Sequence, residues 1–246
     1  MQFLFYPDAT MTRGHHHRHL DRLDHLLRTH WRTLLLLFAL VLLPLWGFGE
    51  IAEQLLQKEP IPFEVPLMLW IHGHASAFQN GVAVTFSLLG SARGMIPIAL
   101  VLFVVLYRLR HRLAWFALLS LGGVAGLNFV MKQLFERPRP SLWTPALPEN
   151  DSSFPSGHAM FAAALAATVV VVLWRTRWHW LALVLGVLYV LGMMWSRVYI
   201  GVHYPSDVTA GALFSLAWVV ALTRVLHPQR ALEAGRSQGE EVHASR

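Results

Sequence analysis

Cysteine is missing from the 246 residues, so no disulfide framework holds this chain and nothing in it depends on an oxidising compartment. Charge is scarce as well: Asp, Glu, Lys and Arg make up 14% of the chain, against roughly 25% in a soluble domain, while 55% is hydrophobic. That deficit excludes an ordinary soluble globule. Ten Trp and fourteen Phe exclude an intrinsically disordered chain, which is poor in such residues. Acidic residues are outnumbered fourteen to twenty, and the resulting +6 would suit nucleic acid if the cations formed a patch. They sit instead at the ends of apolar runs, which argues against a nucleic-acid partner. The early apolar stretch of a secretory leader is lacking too. Residues 1–32 are polar and hold five Arg, so the N-terminus is expected to be retained on the cytoplasmic side.

Uncharged runs are what the chain has in abundance. A helix needs about 20 mostly apolar residues to cross a hydrocarbon core about 30 Å thick. Six stretches come close: 33–49, 94–107, 113–131, 159–174, 178–196 and 208–223, most of them bounded by Arg or Lys. The second is the shortest. Because 80–92 ahead of it is also uncharged, its helix is expected to begin earlier and to carry Arg93 near its mouth. Residues 65–78 are apolar, yet Pro66, His72, Gly73 and His74 fit an interfacial helix better than a seventh span. The expected fold is all-α, a polytopic membrane bundle of six transmembrane helices. A polar segment at 1–32 precedes the membrane domain at 33–226, and a polar tail follows at 227–246.

Six spans also sort the cations. Fourteen of the twenty Lys and Arg fall on one side, which the positive-inside rule makes cytoplasmic, together with both termini. The other side holds Lys58, Arg93, Lys132, Arg137, Arg139 and Arg197. A seventh span would scramble this order. Trp31, Trp46, Trp115, Trp174, Trp178 and Trp195 fall near expected helix ends, where an indole buries its ring and hydrogen-bonds its N–H at headgroup level.

On the cation-poor side, three short segments nevertheless concentrate ionisable groups: 132–140, 155–158 and 196–207. Three fixed cations, two imidazoles and a carboxylate at one membrane face suit a multiply charged anion, phosphate above all. Arg139 and Arg197 each offer a planar fork, Lys132 a point charge. Ser156 and the backbone N–H groups around it open a helix whose dipole favours an anion, and Gly157 permits close approach. A neutral imidazole can attack phosphorus if a carboxylate fixes its tautomer, and His203 and Asp207 are spaced for that. His158 is then available as general acid. Glu136 and Arg137, between two of the cations, are expected to form a solvent-facing pair. His72 and His74 are expected to be solvated, and the run His15-His16-His17-Arg18-His19 to be a solvated polar tail rather than a metal site. Tyr199 and Tyr204 flank His203 as interfacial aromatics.

Lys132 with six residues before Arg139-Pro140, then Pro155-Ser156-Gly157-His158, then Ser196-Arg197 with five residues before His203 and three more before Asp207, resembles a known three-part signature. It is that of the type 2 phosphatidic acid phosphatase superfamily, and no signature position departs from it. The resemblance covers roughly residues 94–223, and the six-span layout is similar to that family's integral membrane lipid phosphatases. It implies His203 as a nucleophile forming a phosphohistidine, Asp207 as its partner and His158 as leaving-group acid. It implies Lys132, Arg139, Ser156, Gly157 and Arg197 as phosphate ligands, with no metal and no cofactor. The implied substrates are lipid phosphates or diphosphates at the outer face of the cytoplasmic membrane, such as phosphatidylglycerophosphate, phosphatidate or undecaprenyl diphosphate. With only thirteen residues between Pro140 and Phe154, little chain is available for a headgroup-specific lid, so broad substrate use is expected. The alternatives are a vanadate-dependent haloperoxidase-like activity, against which the six spans argue, and a lipid-phosphate-binding protein without turnover, against which the His203 and Asp207 pair argues.

Overall fold

The computed structural model describes Trp31 and residues 35–228, and every regular element among them is helical. The His-rich run at 15–19 lies outside the described residues. The helices are α1 (Leu35–Leu56), α2 (Glu64–Gly73), α3 (Ala77–Gly90), α4 (Ala92–Leu109) and α5 (His111–Phe135). They continue with α6 (Gly157–Leu173), α7 (His179–Ile200) and α8 (Pro205–Leu226). Helices α1, α4, α5, α7 and α8 are long and apolar enough to cross a membrane, and α6 is apolar but shorter at 17 residues. Each overlaps one of the six uncharged runs.

Local chemistry sets the helix boundaries. Pro44 lacks an N–H and crowds the carbonyl one turn back, and directly ahead of it α1 widens to a π-helical stretch over Phe38–Leu42. Ser76 caps α3 by accepting the Gln79 N–H at 3.3 Å. The uncharged stretch 80–92 does not extend the second span backwards, contrary to expectation: it forms α3, and the chain breaks at Ser91. The Ser91 hydroxyl donates to the Leu88 carbonyl at 2.7 Å, and its own backbone is extended. Gly94 then packs against the preceding turn, since a Cβ there would lie 2.4 Å from the Leu89 carbonyl oxygen. Arg93 does sit in the first turn of α4. Of the apolar run at 65–78, residues 65–73 lie in the short helix α2 and residues 77–78 open α3.

The packing is that of a bundle whose solvent is apolar. Large side chains such as Ile96, Val101, Phe129, Leu134, Trp180 and Leu188 point outwards, whereas Ala114, Ala159, Ala162, Ala164, Ala210 and Ser215 are fully buried. Small residues let the helix backbones approach closely, which drives association where lipid supplies no hydrophobic contrast. Helix α6 lies central, against α5, α7 and α8. A Cβ on Gly211 of α8 would come within 3.0 Å of the Ser156 carbonyl and of Met160 Cγ. This contact brings the N-termini of α6 and α8 together at one end of the bundle. The C-termini of α5 and α7 lie at the same end.

Candidate active site

Helix ends and two connections supply the site. Lys132 stands on the last turn of α5, and Arg139 follows in the extended segment after Glu136, whose left-handed backbone (φ 44°) ends that helix. His158 is on the first turn of α6, Arg197 on the last turn of α7, and His203 and Asp207 on the turn into α8. Gly201 terminates α7 with φ +86°, and a Cβ there would lie 2.5 Å from the Trp143 ring, so both backbone and space require glycine. Trp143 donates its Nε1–H to the Ile200 carbonyl at 3.1 Å and stacks on His72 at 4.1 Å. The connection between α5 and α6 is thereby pinned beside the end of α7.

The cations converge on two carboxylates of that connection. Glu149 receives Nη2 of Arg139 at 2.7 Å and Nη2 of Arg197, and its oxygens lie 3.9 Å from His158 Nδ1 and 3.7 Å from His203 Nε2. Asp151 pairs with Lys132 and, at 2.5 Å, with Arg139. Burial raises the Asp151 carboxyl, but hydrogen bonds from Lys132 and Arg139 outweigh it and hold the group below its usual value. The short connection thus puts acids on all three cations, a role the sequence did not disclose.

The two imidazoles have different partners. His203 is fully buried. Arg139 donates to its Nε2 at 3.2 Å, so Nε2 carries the lone pair and Nδ1 the proton, and Nδ1 faces Asp207 Oδ2 at 3.5 Å. Burial, reinforced by Arg197 and Arg139, pushes this imidazole well below its ordinary pKa. His158 instead donates Nε2–H to the Ser87 carbonyl at 3.1 Å, leaving Nδ1 towards Glu149. Ser87 of α3 also receives Nη1 of Arg197 through its hydroxyl.

Lys132, Arg139, Arg197, His158, His203 and Asp207 are thus brought together. Ser156 and Gly157 lie beside them at the start of α6. The Ser156 hydroxyl receives the Ala159 N–H at 3.5 Å, its N–H donates to the Asp207 carbonyl at 3.2 Å, and Gly157 lies against Asn128. The expected solvent-facing pair divides: Glu136 is exposed, but Arg137 is turned inward, its Nη1 on Asp207 Oδ1 at 2.5 Å and its Nη2 on Glu64 Oε2 at 2.7 Å. Two buried acids outcompete water for the guanidinium. Tyr204 lies beneath Arg137 at 4.1 Å, and Tyr199 donates to Asn80 Oδ1 at 2.6 Å. His72 and His74 are exposed. Sequence reasoning missed Glu149, Asp151, Ser87 and Glu64; the one available signal was that the side with the motifs holds eight acids beside its six cations.

Residues 113–231 match the PAP2 superfamily, a stretch that contains all three motif segments. An undecaprenyl-diphosphatase of Sulfolobus acidocaldarius is 31% identical over 174 residues, which are 68% of this chain and 79% of that protein. Phosphatidylglycerophosphatase B of Bacillus subtilis is 33% identical over 146 residues, 56% of this chain and 69% of its own length. The crystal structure of a transmembrane PAP2 type phosphatidylglycerolphosphate phosphatase from Bacillus subtilis shares the fold, with a TM-score of 0.66 and 21% identity over 74% of this chain and 94% of that one. With its motifs gathered at one end of an apolar helical bundle, the superfamily match spanning α5 to α8 and a 31% identical relative covered over 79% of its length, the chain belongs to the PAP2 superfamily.

Proposed function

We propose that this protein is an integral membrane phosphatase that removes a terminal phosphate from a lipid phosphate or diphosphate through a phosphohistidine. The supporting observation is the convergence of Arg139 and Arg197 on one small anionic group, the Glu149 carboxylate, between the two imidazoles. A substrate phosphoryl group that displaced this carboxylate would meet the same two guanidinium forks, with Lys132 released from Asp151 nearby.

In this reading His203 Nε2 uses its lone pair to form the bond to phosphorus, and Asp207 stabilises the Nδ1–H as the ring becomes cationic. The bond from phosphorus to the lipid oxygen breaks with its electron pair on oxygen, and His158, protonated on Nδ1, gives that oxygen its proton. Water then attacks the phosphohistidine, losing a proton to His158, and inorganic phosphate leaves with His203 restored. Three protein cations hold the non-bridging oxygens, so we propose no metal requirement. The six spans and the cation distribution support a site at the extracytoplasmic face of the cytoplasmic membrane, where the headgroups of phosphatidylglycerophosphate, phosphatidate or undecaprenyl diphosphate are presented.

The test is phosphate release by the purified protein in detergent from a panel of lipid monophosphates and diphosphates, with and without EDTA. Turnover that survives chelation, with a phosphoenzyme trapped by acid-free quench and lost in His203→Ala, is expected. Binding without turnover would overturn the reading.

A further inference from the structure

Behind His203, on the side away from the pocket cations, lies an ion cluster of which the phosphate chemistry uses only Asp207. Glu64 of α2 is 3% exposed and Asp207 is fully buried, and Arg137 stands between them with a separate nitrogen on each. Ser206 completes the cluster: its hydroxyl meets Arg137 Nη1 at 2.8 Å and Glu64 Oε1, and its N–H donates to Glu64 Oε1 at 3.1 Å. The Arg137 guanidinium lies over the Tyr204 ring. Asp207 is therefore held at both oxygens, Oδ1 by Arg137 and Oδ2 by the Tyr204 N–H at 2.8 Å. Only Oδ2 faces His203.

We propose that Arg137 and Glu64 are positioning residues that hold Asp207 in the orientation in which Oδ2 serves His203 Nδ1. This rests on the reading of His203 as nucleophile. Two buried carboxylates that share one guanidinium repel each other without that cation between them. Without Arg137, Asp207 must take up a proton or swing away, and in either case the imidazole loses its acceptor. A lysine would restore the charge but reach only one carboxylate at a time, because it has no planar fork. Glu64 acts one step further back. It fixes the second nitrogen of Arg137 and receives the N–H of Ser206, which ties α2 to the first turn of α8. The signature thus contains, between Lys132 and Arg139, a third cation that faces the nucleophile's partner rather than the phosphate.

The experiment measures kcat, KM and the rate of phosphoenzyme formation on a short-chain phosphatidate in detergent. It compares the wild type with Arg137→Lys, Glu64→Gln and Asp207→Asn, and with Arg137→Lys combined with Asp207→Asn. Arg137→Lys is expected to lower kcat and phosphoenzyme formation roughly 10- to 100-fold, as loss of an orienting partner typically does, with KM little changed. Glu64→Gln, which keeps the shape and two oxygen or nitrogen contacts, should lose less. In the Asp207→Asn background Arg137→Lys should cost less than about twofold, because residues acting as a unit are not additive. Losses that multiply, or a change confined to KM, would overturn the positioning role while leaving the nucleophile assignment intact. An Asp207→Asn variant as fast as wild type, or a wild type that turns over without a phosphoenzyme, would overturn that assignment and the positioning role with it. Arg137→Ala is not needed for these comparisons; the lysine variant retains a buried cation and, with Glu64→Gln, probes the cluster if the smaller residue fails to fold.

Discussion

Proton assignments at the two imidazoles follow from single hydrogen bonds, and each leads to a measurement. Arg139 can only donate, so His203 Nε2 is the basic nitrogen and points to the pocket. The Ser87 carbonyl can only accept, so it orients His158 with Nδ1 towards the pocket. Replacing His203 by Ala should abolish turnover of every substrate. His158→Ala should depend on the leaving group: a lipid alkoxide needs its proton, whereas a nitrophenolate leaves as a stable anion. The expected loss is about 10²–10⁴-fold on a lipid monophosphate and markedly less on nitrophenyl phosphate. Equal losses in kcat/KM on the two would show that His158 binds rather than protonates. The lowered pKa of His203 has a further consequence for stability. In the unfolded chain its imidazole titrates near 6.5, and in the folded protein it titrates lower. As pH falls below about 6.5 the unfolded state takes up the proton first, so stability is lost towards acid. His203→Gln, which has no titrating group, should flatten the fall in Tm between about pH 6.5 and 5.

The connection between α5 and α6 is where sequence and structure part furthest. The motif residues were legible because phosphoryl chemistry calls for particular side chains at fixed spacing on helix ends. Glu149 and Asp151 obey no such spacing, and only folding shows that they fill the cradle. Arg137 was misread as solvent-facing because its acidic partner Glu64 is 73 residues away, on a helix that reads as a mere interfacial segment. The break at Ser91 escaped notice for a related reason: two uncharged helices joined by one serine look like a single run. Because Glu149 holds Arg139 and Arg197, the two guanidinium groups proposed to bind phosphate, neutralising it should favour anions. Glu149→Gln is expected to lower the inhibition constant of vanadate about tenfold, equivalent to ~1.4 kcal/mol. An unchanged or higher constant would mean that the carboxylate does not compete with phosphate. Gly201→Ala should lower the Tm, since a left-handed alanine costs about 1–2 kcal/mol before any contact with Trp143 is counted.

Across the whole molecule, each of the five helices long and apolar enough to cross a membrane, and the shorter α6, overlaps one uncharged run of the sequence, because a bilayer imposes one length and one polarity on whatever crosses it. Helix packing was not legible, since close approach depends on where small residues meet. Gly211 against the Ser156 carbonyl and Gly186 against Ala166 are not marked by any period in the sequence. The same apolar constraint bears on which way the site faces. With the six spans expected from the sequence, fourteen cations on one side and six on the other would put the motifs on the outer face, as the proposed function requires. Absence of native cysteine makes this testable without background labelling. Ser141, just past Arg139-Pro140, and His111, at the start of α5, are both exposed and lie at opposite ends of that helix. In whole cells, a single cysteine at Ser141 should react with an impermeant maleimide, and one at His111 should react only after the membrane is opened. The reverse pattern would place the site in the cytoplasm, and with it the face from which a lipid phosphate must reach His203.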